Sequence, residues 1–375
     1  MTDIRALTDA GVSVWLDDLG RHRIASGELA ELVNEVGIRG VTTNPSIFAA
    51  AVKSGSEYQA DLQSSQQDAE GTLHDLMVRD VQDACTVFSD LYERSGALDG
   101  RVSLEVDPRL ALDTARTVEA AAQSWADVDR PNVMVKIPAT QAGLSAITDT
   151  LAAGISVNVT LIFAIDRYRQ VQQAWLAGME QAKANGHDLS KIASVASFFV
   201  SRMDTAVDRR LDELLANKAI EPDRHEALRG RAAVANARNA YRAFTAARRE
   251  PAWQALEAAG AHPQRPLWAS TSTKDPSFSP TRYVDELIAP DTVNTMPSAT
   301  LEAVLKSPAD PGTQTFADDP EAMKADSELF DELAAVGIKY DEVITELEQA
   351  GVQSFTEAWQ TLLGLVSSAK QKAAG

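Results

Sequence analysis

The chain has 375 residues, of which 45% are hydrophobic and 24% are charged. This length suits one large barrel with insertions or two ordinary domains, and the composition excludes global disorder. Lysines and arginines number 35 against 54 aspartates and glutamates, and the resulting net charge of −19 opposes nonspecific binding to nucleic acid. An anionic substrate must therefore meet a local cluster of positive groups.

The first twenty residues carry early acidic side chains and no long apolar core. They lack the pattern of a secretory signal, and no later segment is apolar over the length that would span a bilayer. These features predict a soluble cytoplasmic protein that does not associate with membranes.

Cys85 is the only cysteine, which excludes an intrachain disulfide and every multi-cysteine metal site. It lies on an apolar stripe with helical spacing, so we interpret it as a buried packing residue. The five histidines do not form an HExxH motif, and a metal enzyme is disfavoured, although sites built from carboxylates alone stay open.

Short β-branched runs alternate with longer segments of helical periodicity along most of the chain. The eight runs begin at or near Val12, Gly40, Val102, Val133, Ile155, Ile192, Pro266 and Thr292. Eight alternating units predict an α/β fold, a single closed (β/α)8 TIM barrel that spans residues 1–305. An open doubly wound sheet is the alternative, but no GxGxxG follows the first run.

The chain beyond the barrel divides into two predicted parts. Residues 306–322 are rich in Pro, Asp and Gly, which predicts a connecting loop. Residues 323–375 show helical periodicity, with Phe355 and Trp359 on one apolar stripe. We expect this segment to form additional C-terminal helices that pack on the barrel.

Catalytic groups of a (β/α)8 enzyme project from the carboxyl ends of the strands. Lys136 lies inside the fourth apolar run, VMVKIP, and points either into the barrel or toward the helices. Burial disfavours the ammonium form, so the amine would be a nucleophile toward a carbonyl. The structural alternatives are a lysine that reaches the barrel rim or one that pairs with a carboxylate.

Two acidic residues are candidates for proton transfer. Glu105 lies on the strand before the lysine strand and is within reach of Lys136 or of a water beside it, although a simple ion pair is equally compatible. Asp17 and Asp18 end the first run and point to opposite sides, so one faces the site. A carboxylate there would serve as general base, whereas Asp18 is favoured as a solvated or helix-capping residue.

Polar residues on other strand ends complete the predicted site. Asn44 precedes Pro45, which also marks a turn. Asn158 and Thr160 share one strand face and line the barrel or serve as satisfied core residues. Ser197 and Arg202 lie near a predicted helix N-terminus, which is a typical phosphate site, although a surface arginine is equally compatible.

The chain resembles the transaldolase family in six segments, which occur in the family's order: GVTTNPSIF, VSLEVDPR, VMVKIPAT, NVTLIF, SFFVSRMD and WAST. The ordered match spans about Asp17 to Met296, and each segment ends a predicted strand. Single pieces such as TTNPS are weak, but six in order are highly specific. The length and the C-terminal helices resemble a longer bacterial branch of the family.

The resemblance implies a role for each matched residue. Lys136 matches the Schiff-base lysine, Glu105 the acid/base glutamate and Asp17 the first-strand aspartate. Asn44 matches the asparagine that follows TT, and Thr160 matches the threonine beside the catalytic water.

The same resemblance identifies Ser197 and Arg202 as phosphate-binding residues, with Phe199 nearby. The order here is SFF where many relatives have SPF. Many relatives also carry a second arginine after the seventh strand, whereas this chain reads WASTSTKDP. Lys274 is the candidate to substitute for that arginine, with a solvated loop lysine as the alternative.

The implied reaction transfers a dihydroxyacetone unit from sedoheptulose 7-phosphate to glyceraldehyde 3-phosphate, giving erythrose 4-phosphate and fructose 6-phosphate, in the non-oxidative pentose phosphate pathway. The resemblance implies no metal or organic cofactor. Two alternatives stay open, a Schiff-base aldolase acting on fructose 6-phosphate and a sugar-phosphate-binding protein without chemistry. The sequence does not decide between a monomer and a homodimer.

Overall fold

The computed structural model describes residues 4–306, 316 and 319–374. Eight parallel strands close into a barrel in chain order, with the first strand paired to the eighth. The strands are β1 Val12–Leu16, β2 Gly40–Val41, β3 Arg101–Glu105, β4 Val133–Pro138, β5 Val157–Ile162, β6 Ser194–Phe199, β7 Arg265–Ala269 and β8 Thr292–Met296. The predicted (β/α)8 barrel is therefore confirmed, and the open doubly wound sheet is wrong.

Every residue of the eight strands is buried, because one face of each strand fills the barrel and the other meets the surrounding helices. This explains why the strands read as nearly continuous apolar runs. The second strand is the shortest. Of the predicted run Gly40–Thr43, only Gly40–Val41 pairs as a strand, and Thr42 and Thr43 begin the turn toward the next helix.

Helices surround the barrel and also follow it. They are α1 Arg5–Asp9, α2 Arg21–Ala25, α3 Glu28–Glu31, α4 Pro45–Ser54, α5 Gln59–Ser64, α6 Ala69–Val87, α7 Ser89–Arg94, α8 Thr114–Val128, α9 Gln141–Ala152, α10 Ile165–Ala184, α11 Ser201–Ala216, α12 Pro222–Leu228, α13 Ala232–Ala247, α14 Pro251–Glu257, α15 Arg282–Asp285, α16 Ser298–Lys306, α17 Pro320–Ala335 and α18 Tyr340–Ala374. A π-helical turn spans Leu32–Val36, and 3-10 turns span Ser56–Tyr58, Pro108–Leu110 and Leu189–Lys191.

Local sequence explains where several helices begin. Side-chain oxygens of Asp68, Asp113 and Thr140 accept hydrogen bonds from the first-turn amides of α6, α8 and α9. Pro45 opens α4 at the position where a proline loses no hydrogen bond. These caps end each strand-to-helix loop at a defined residue, which fixes the rim of the barrel.

The strand register brings polar side chains together at the carboxyl end. Glu105 pairs with Lys136 across β3 and β4, and Lys136 pairs with Asn158 across β4 and β5. The register then shifts between Val159 and Ile162, and Leu161 adopts a left-handed φ of 61°. A bulge of this kind redirects the backbone beside a site, and here it directly follows Thr160.

Two further helices follow the barrel, as predicted. The loop predicted over 306–322 lies for the most part outside the described residues, and α17 already begins at Pro320. The division of the chain into domains at 305 and 323 stays a prediction.

The last helix, α18, packs across the carboxyl end of the barrel, where it contacts α4, α5, α6, α11 and β5. It approaches β5 closely at Gly351, where a Cβ atom would lie 3.2 Å from the Phe163 side chain and 3.3 Å from that of Leu161. A larger residue at position 351 would require the Phe163 and Leu161 side chains to shift by a few tenths of an ångström.

Candidate active site

A cavity of about 160 Å³ opens at the carboxyl end of the barrel. Its lining comprises Asp17, Thr42, Asn44, Lys136, Thr160, Ser197, Phe199, Arg202, Ala269, Ser270, Ser272, Lys274, Thr295, Pro297 and Phe355. All predicted site residues line it except Glu105 and Asn158. Those two touch lining residues from within the barrel, so the structure brings the whole predicted set to one place.

Lys136 points into the barrel rather than toward the helices, and only 4% of the residue is exposed. Its Nζ donates a hydrogen bond of 2.7 Å to the carbonyl oxygen of Thr43. Oε2 of Glu105 lies 3.4 Å from the same nitrogen. The side chain therefore does not reach the rim, and its amine is held at the base of the cavity.

Glu105 is buried beside the lysine. Burial raises the pKa of its carboxyl group to about 7, against the opposing effect of the Lys136 charge. Apart from Lys136, its oxygens have no polar partner among the residues that the structure describes. Oγ1 of Thr160 is likewise buried and without a hydrogen bond there. A carboxyl group with a pKa near neutrality can both accept and donate a proton.

Asp17 directly follows β1 and faces the cavity, while Asp18 turns away from it. Oδ1 of Asp17 accepts a hydrogen bond of 2.6 Å from Oγ1 of Thr42. Burial raises the pKa of Asp17, and the Lys136 charge opposes that effect. Asp18 instead accepts hydrogen bonds from Arg23 at 2.7 Å and from Ser298 at 2.9 Å. Of the two aspartates at the end of β1, Asp17 is therefore the one that faces the cavity.

Asn44 caps a helix and also lines the cavity. Its Oδ1 accepts a hydrogen bond of 3.1 Å from the amide of Ile47 and so caps α4, which fits the turn interpretation. The residue also lines the cavity. The helix cap holds this amide side chain in one orientation beside the site.

Asn158 and Ser197 form a buried hydrogen-bonded chain beneath the cavity. Asn158 Nδ2 donates to Ser103 Oγ at 3.0 Å, and its Oδ1 accepts from Ser197 Oγ at 2.7 Å. Asn158 therefore fits the interpretation of a satisfied core residue. Because the hydroxyl proton of Ser197 is engaged by Asn158, Ser197 would have to break this bond to donate to a phosphate.

Arg202 and Lys274 supply positive charge to the cavity. Arg202 lies in the first turn of α11, and its guanidinium stacks on the Phe199 ring with 5.2 Å between Cζ and the ring centroid. Burial lowers its pKa, and no carboxylate pairs with it in the described ranges. Lys274 is exposed, and its Nζ donates to Ser272 Oγ at 2.8 Å. Both cations are thus available to an anion.

Several lining residues were not predicted. Thr42 and Thr295 share a 2.6 Å hydrogen bond, and a threonine at the end of an apolar run carries no sequence signal for a site. Ser270 and Ser272 lie in the WASTSTK segment, where only the lysine was singled out. Phe355 was predicted as a packing residue of the last helix, and nothing in its helical stripe signals a role in the cavity.

Several other features of the described residues lie apart from this cavity. A larger groove of about 970 Å³ lies on the outside of the barrel between α10, α13 and α17, away from all predicted site residues. Cys85 is buried, and burial raises the pKa of its thiol, which fits its interpretation as a packing residue. Over the described ranges, no cluster of three His, Cys, Asp or Glu side chains is arranged to hold a metal ion. No helix in those ranges is long and apolar enough to cross a membrane.

Comparison with known proteins identifies relatives over almost the whole chain. Residues 14–366 match the family model described as transaldolase/fructose-6-phosphate aldolase. A transaldolase of Saccharopolyspora erythraea is 52% identical over 368 residues, which cover 97% of each chain. A transaldolase of Mycolicibacterium smegmatis is 51% identical over 364 residues, covering 96% of this chain and 95% of that one. Transaldolase 1 of Streptomyces coelicolor is 52% identical over 368 residues, covering 97% and 94%.

Proposed function

The chain belongs to the transaldolase/fructose-6-phosphate aldolase family, and we propose that it is a transaldolase that forms a Schiff base on Lys136. The reaction moves a dihydroxyacetone unit from a ketose phosphate to an aldose phosphate, as in the non-oxidative pentose phosphate pathway. One observation carries the proposal. A buried lysine amine lies at the base of a small polar cavity, between a carboxyl group whose pKa is near neutrality and a second buried carboxyl group.

The first stage is imine formation. The neutral amine of Lys136 attacks the ketone carbon of the donor, and the carbinolamine that results loses water to give a protonated imine. Protons must move to and from the nitrogen and the leaving oxygen. Glu105 relays them, because its carboxylate already lies 3.4 Å from Nζ and its pKa of about 7 permits both directions of transfer. Thr160, with its buried unpaired hydroxyl, orients the relaying water.

The second stage is carbon–carbon cleavage. Asp17 removes the proton of the donor hydroxyl next to the bond that breaks, and the electron pair of that bond moves into the protonated imine. An aldose phosphate leaves, and an enamine of three carbons stays on Lys136. The raised pKa of Asp17 makes this carboxylate a better base than an exposed aspartate. An acceptor aldehyde is then attacked by the enamine, and hydrolysis frees the new ketose.

The phosphate of donor and acceptor binds near the start of α11. Arg202 provides a guanidinium that pairs with no carboxylate of the described residues, and the helix dipole at the start of α11 favours an anion. Lys274 adds a second charge from the loop after β7 in place of the arginine of many relatives. Asn44 contacts the hydroxyl groups of the sugar, and Ser197 and Asn158 support the base of the cavity.

Two alternatives differ from this function in one measurable property each. A Schiff-base aldolase would release free dihydroxyacetone from fructose 6-phosphate without an acceptor aldehyde. A sugar-phosphate-binding protein would bind the donor and form no adduct. The grouping of Lys136, Glu105 and Asp17 argues for chemistry over binding alone.

The remaining expectations belong to the same proposal. The reaction needs no metal or organic cofactor, because the protonated imine is itself the electron sink. The net charge of −19 argues against a nucleic acid partner. A cytoplasmic location stays a prediction, and the choice between a monomer and a homodimer stays open.

Borohydride trapping tests the proposed function. The protein is incubated with fructose 6-phosphate, reduced with borohydride, digested and examined by peptide mass spectrometry. An adduct on Lys136 supports the Schiff base, and a requirement for an acceptor aldehyde in turnover then separates transaldolase from aldolase. Folded protein that binds the sugar and yields no lysine adduct would favour the binding-protein alternative.

A further inference from the structure

The cavity has an aromatic wall that comes from two distant parts of the chain. Phe355 of α18 lines it, and only 6% of the residue is exposed. Its ring centroid lies 6.4 Å from that of Phe199, which in turn lies 5.2 Å from Phe163. Nζ of Lys136 lies 5.9 Å from the Phe355 ring centroid, a distance typical of a cation–π contact. The last helix therefore contributes directly to the surroundings of the amine.

The rest of the lining is mostly polar. Phe199 and Phe355 are its only large apolar side chains among the described residues. Hydroxyl, amide and carboxyl groups of the lining can hold the sugar or a water molecule, whereas the two rings cannot hydrogen-bond either one. The wall formed by the two rings is therefore the part of the cavity that disfavours water.

The position of Phe355 is fixed by the residues on either side of it in α18. Gly351, one turn earlier, lies against Leu161 and Phe163 at the end of β5. Trp359, one turn later, is buried, and Leu362 and Val366 beyond it are fully covered. A residue held on both sides in this way presents its ring at a defined depth in the cavity.

We propose that Phe355 determines reaction specificity, because its ring covers Lys136 and excludes water from the bound three-carbon enamine. This inference rests on the proposed function, since it concerns an intermediate of that reaction. The enamine is lost when its nucleophilic carbon takes a proton and becomes a protonated imine. Water then adds to the imine carbon and the C–N bond breaks, which releases dihydroxyacetone and returns the lysine ammonium. One proton and one water molecule are consumed. The ring keeps bulk water from the nucleophilic carbon and so preserves the enamine for an acceptor aldehyde, while hydrolysis of the product imine uses the water beside Glu105 and Thr160.

The experiment compares two rates in the same enzyme preparation. The first is release of dihydroxyacetone from fructose 6-phosphate without an acceptor, and the second is formation of sedoheptulose 7-phosphate with erythrose 4-phosphate present. Their ratio does not depend on the folded fraction, because both rates come from the same active molecules. We expect the ratio of release to transfer to rise about tenfold in Phe355→Ala and about threefold in Phe355→Leu, which keeps apolar bulk but loses the ring.

Phe244→Leu is the matched control, since it makes the same change at a buried aromatic residue of α13 that does not line the cavity. Its ratio is expected to equal that of the unmodified enzyme. Borohydride trapping on Lys136 is performed in parallel for every protein. If the adduct forms in the unmodified enzyme and neither Phe355 variant changes the ratio, the inference is overturned while the proposed function stands. If the unmodified enzyme forms no adduct, the proposed function itself is overturned.

Discussion

Glu105 and Lys136 are paired residue for residue on adjacent parallel strands, with Oε2 and Nζ 3.4 Å apart and both side chains buried. This arrangement places a proton acceptor beside an amine without any loop between them. Because both groups project from rigid strands, their separation is set by strand spacing and does not depend on a flexible segment. The first predictions concern this pair.

Lys136→Ala is expected to abolish turnover while the barrel stays folded. The variant loses the amine on which the proposed Schiff base forms, so we expect kcat to fall at least about 1,000-fold. Circular dichroism and thermal unfolding check the fold, and a coupled assay measures turnover. Appreciable activity in well-folded variant protein would refute the assignment of the nucleophile.

Glu105→Gln is expected to slow the reaction and to change its pH dependence. Burial raises the pKa of Glu105 to about 7, so its carboxylate form is lost as the pH falls through about 7. The unmodified enzyme should therefore lose activity as the pH falls below neutrality. The glutamine variant should be about 100-fold slower, and its activity should not show this acidic decline. A full pH profile of kcat/KM measures both. An unchanged acidic limb in the variant would assign that ionisation to another group.

Arg202→Ala is expected to weaken binding of phosphorylated substrates. The guanidinium has no carboxylate partner among the described residues, so its loss leaves no uncompensated acid behind. We expect KM for fructose 6-phosphate to rise at least about tenfold, with a smaller rise in Arg202→Lys. Unphosphorylated dihydroxyacetone serves as the control donor, and its KM should not change. An unaltered KM for the phosphorylated donor would remove Arg202 from the phosphate site.

Lys274→Ala tests whether this lysine replaces the arginine of many relatives. The side chain is exposed and donates to Ser272, so its charge is screened by solvent. We expect a rise in KM of only about threefold, and a larger effect at low ionic strength than at high. Steady-state kinetics at two salt concentrations measure this. If KM does not respond at either concentration, Lys274 has no part in phosphate binding.

Asp208→Asn is expected to stabilise the protein above about pH 6. Asp208 lies on α11, where its Oδ1 accepts a 2.8 Å hydrogen bond from the Gly230 amide. Burial raises its pKa from 3.8 to about 6, with Asp204 and Asp212 adding to that effect. The native state therefore holds a proton that the unfolded state releases, and stability falls as the pH rises between these values.

Asparagine keeps the oxygen that accepts the hydrogen bond and carries no charge. The stability of the variant therefore does not fall as the pH rises through the pKa of Asp208. Because solvent reaches the cleft that Asp208 lines, we expect a gain of only about 1 kcal/mol in the free energy of unfolding at neutral pH, and no gain near pH 4. Urea unfolding over this pH range measures it. Asp331→Asn removes the same charge from the exposed face of α17 and should show no such pH dependence.

The barrel could be predicted because each strand is buried on both faces and therefore reads as an apolar run. The fourth strand, Val133–Pro138, has the predicted bounds. Most of the cavity lining could be predicted for a related reason, since in a closed parallel barrel the carboxyl ends of all strands meet at one end. Alternation along the first strand does not decide which of its two aspartates faces the cavity. The structure decides it, because Asp18 pairs with Arg23.

What the sequence could not provide were relationships between distant segments. The hydrogen bond from Ser197 to Asn158 depends on the register between β5 and β6, which a bulge shifts. Phe355 belongs to a helix whose path over the barrel is decided by packing against α4 and β5. Periodicity shows that such a helix has a buried face, but it does not show what that face meets.

The pairing of β1 with β8 also bears on how the chain is synthesised. Val12 lies opposite Thr292 in the strand register, so one edge of β1 has no neighbour until almost the whole barrel has been translated. Until then its free edge can pair with other chains. A circular permutant that begins just before β8 would join these two strands early in translation, so aggregation during expression should respond to the choice of opening site.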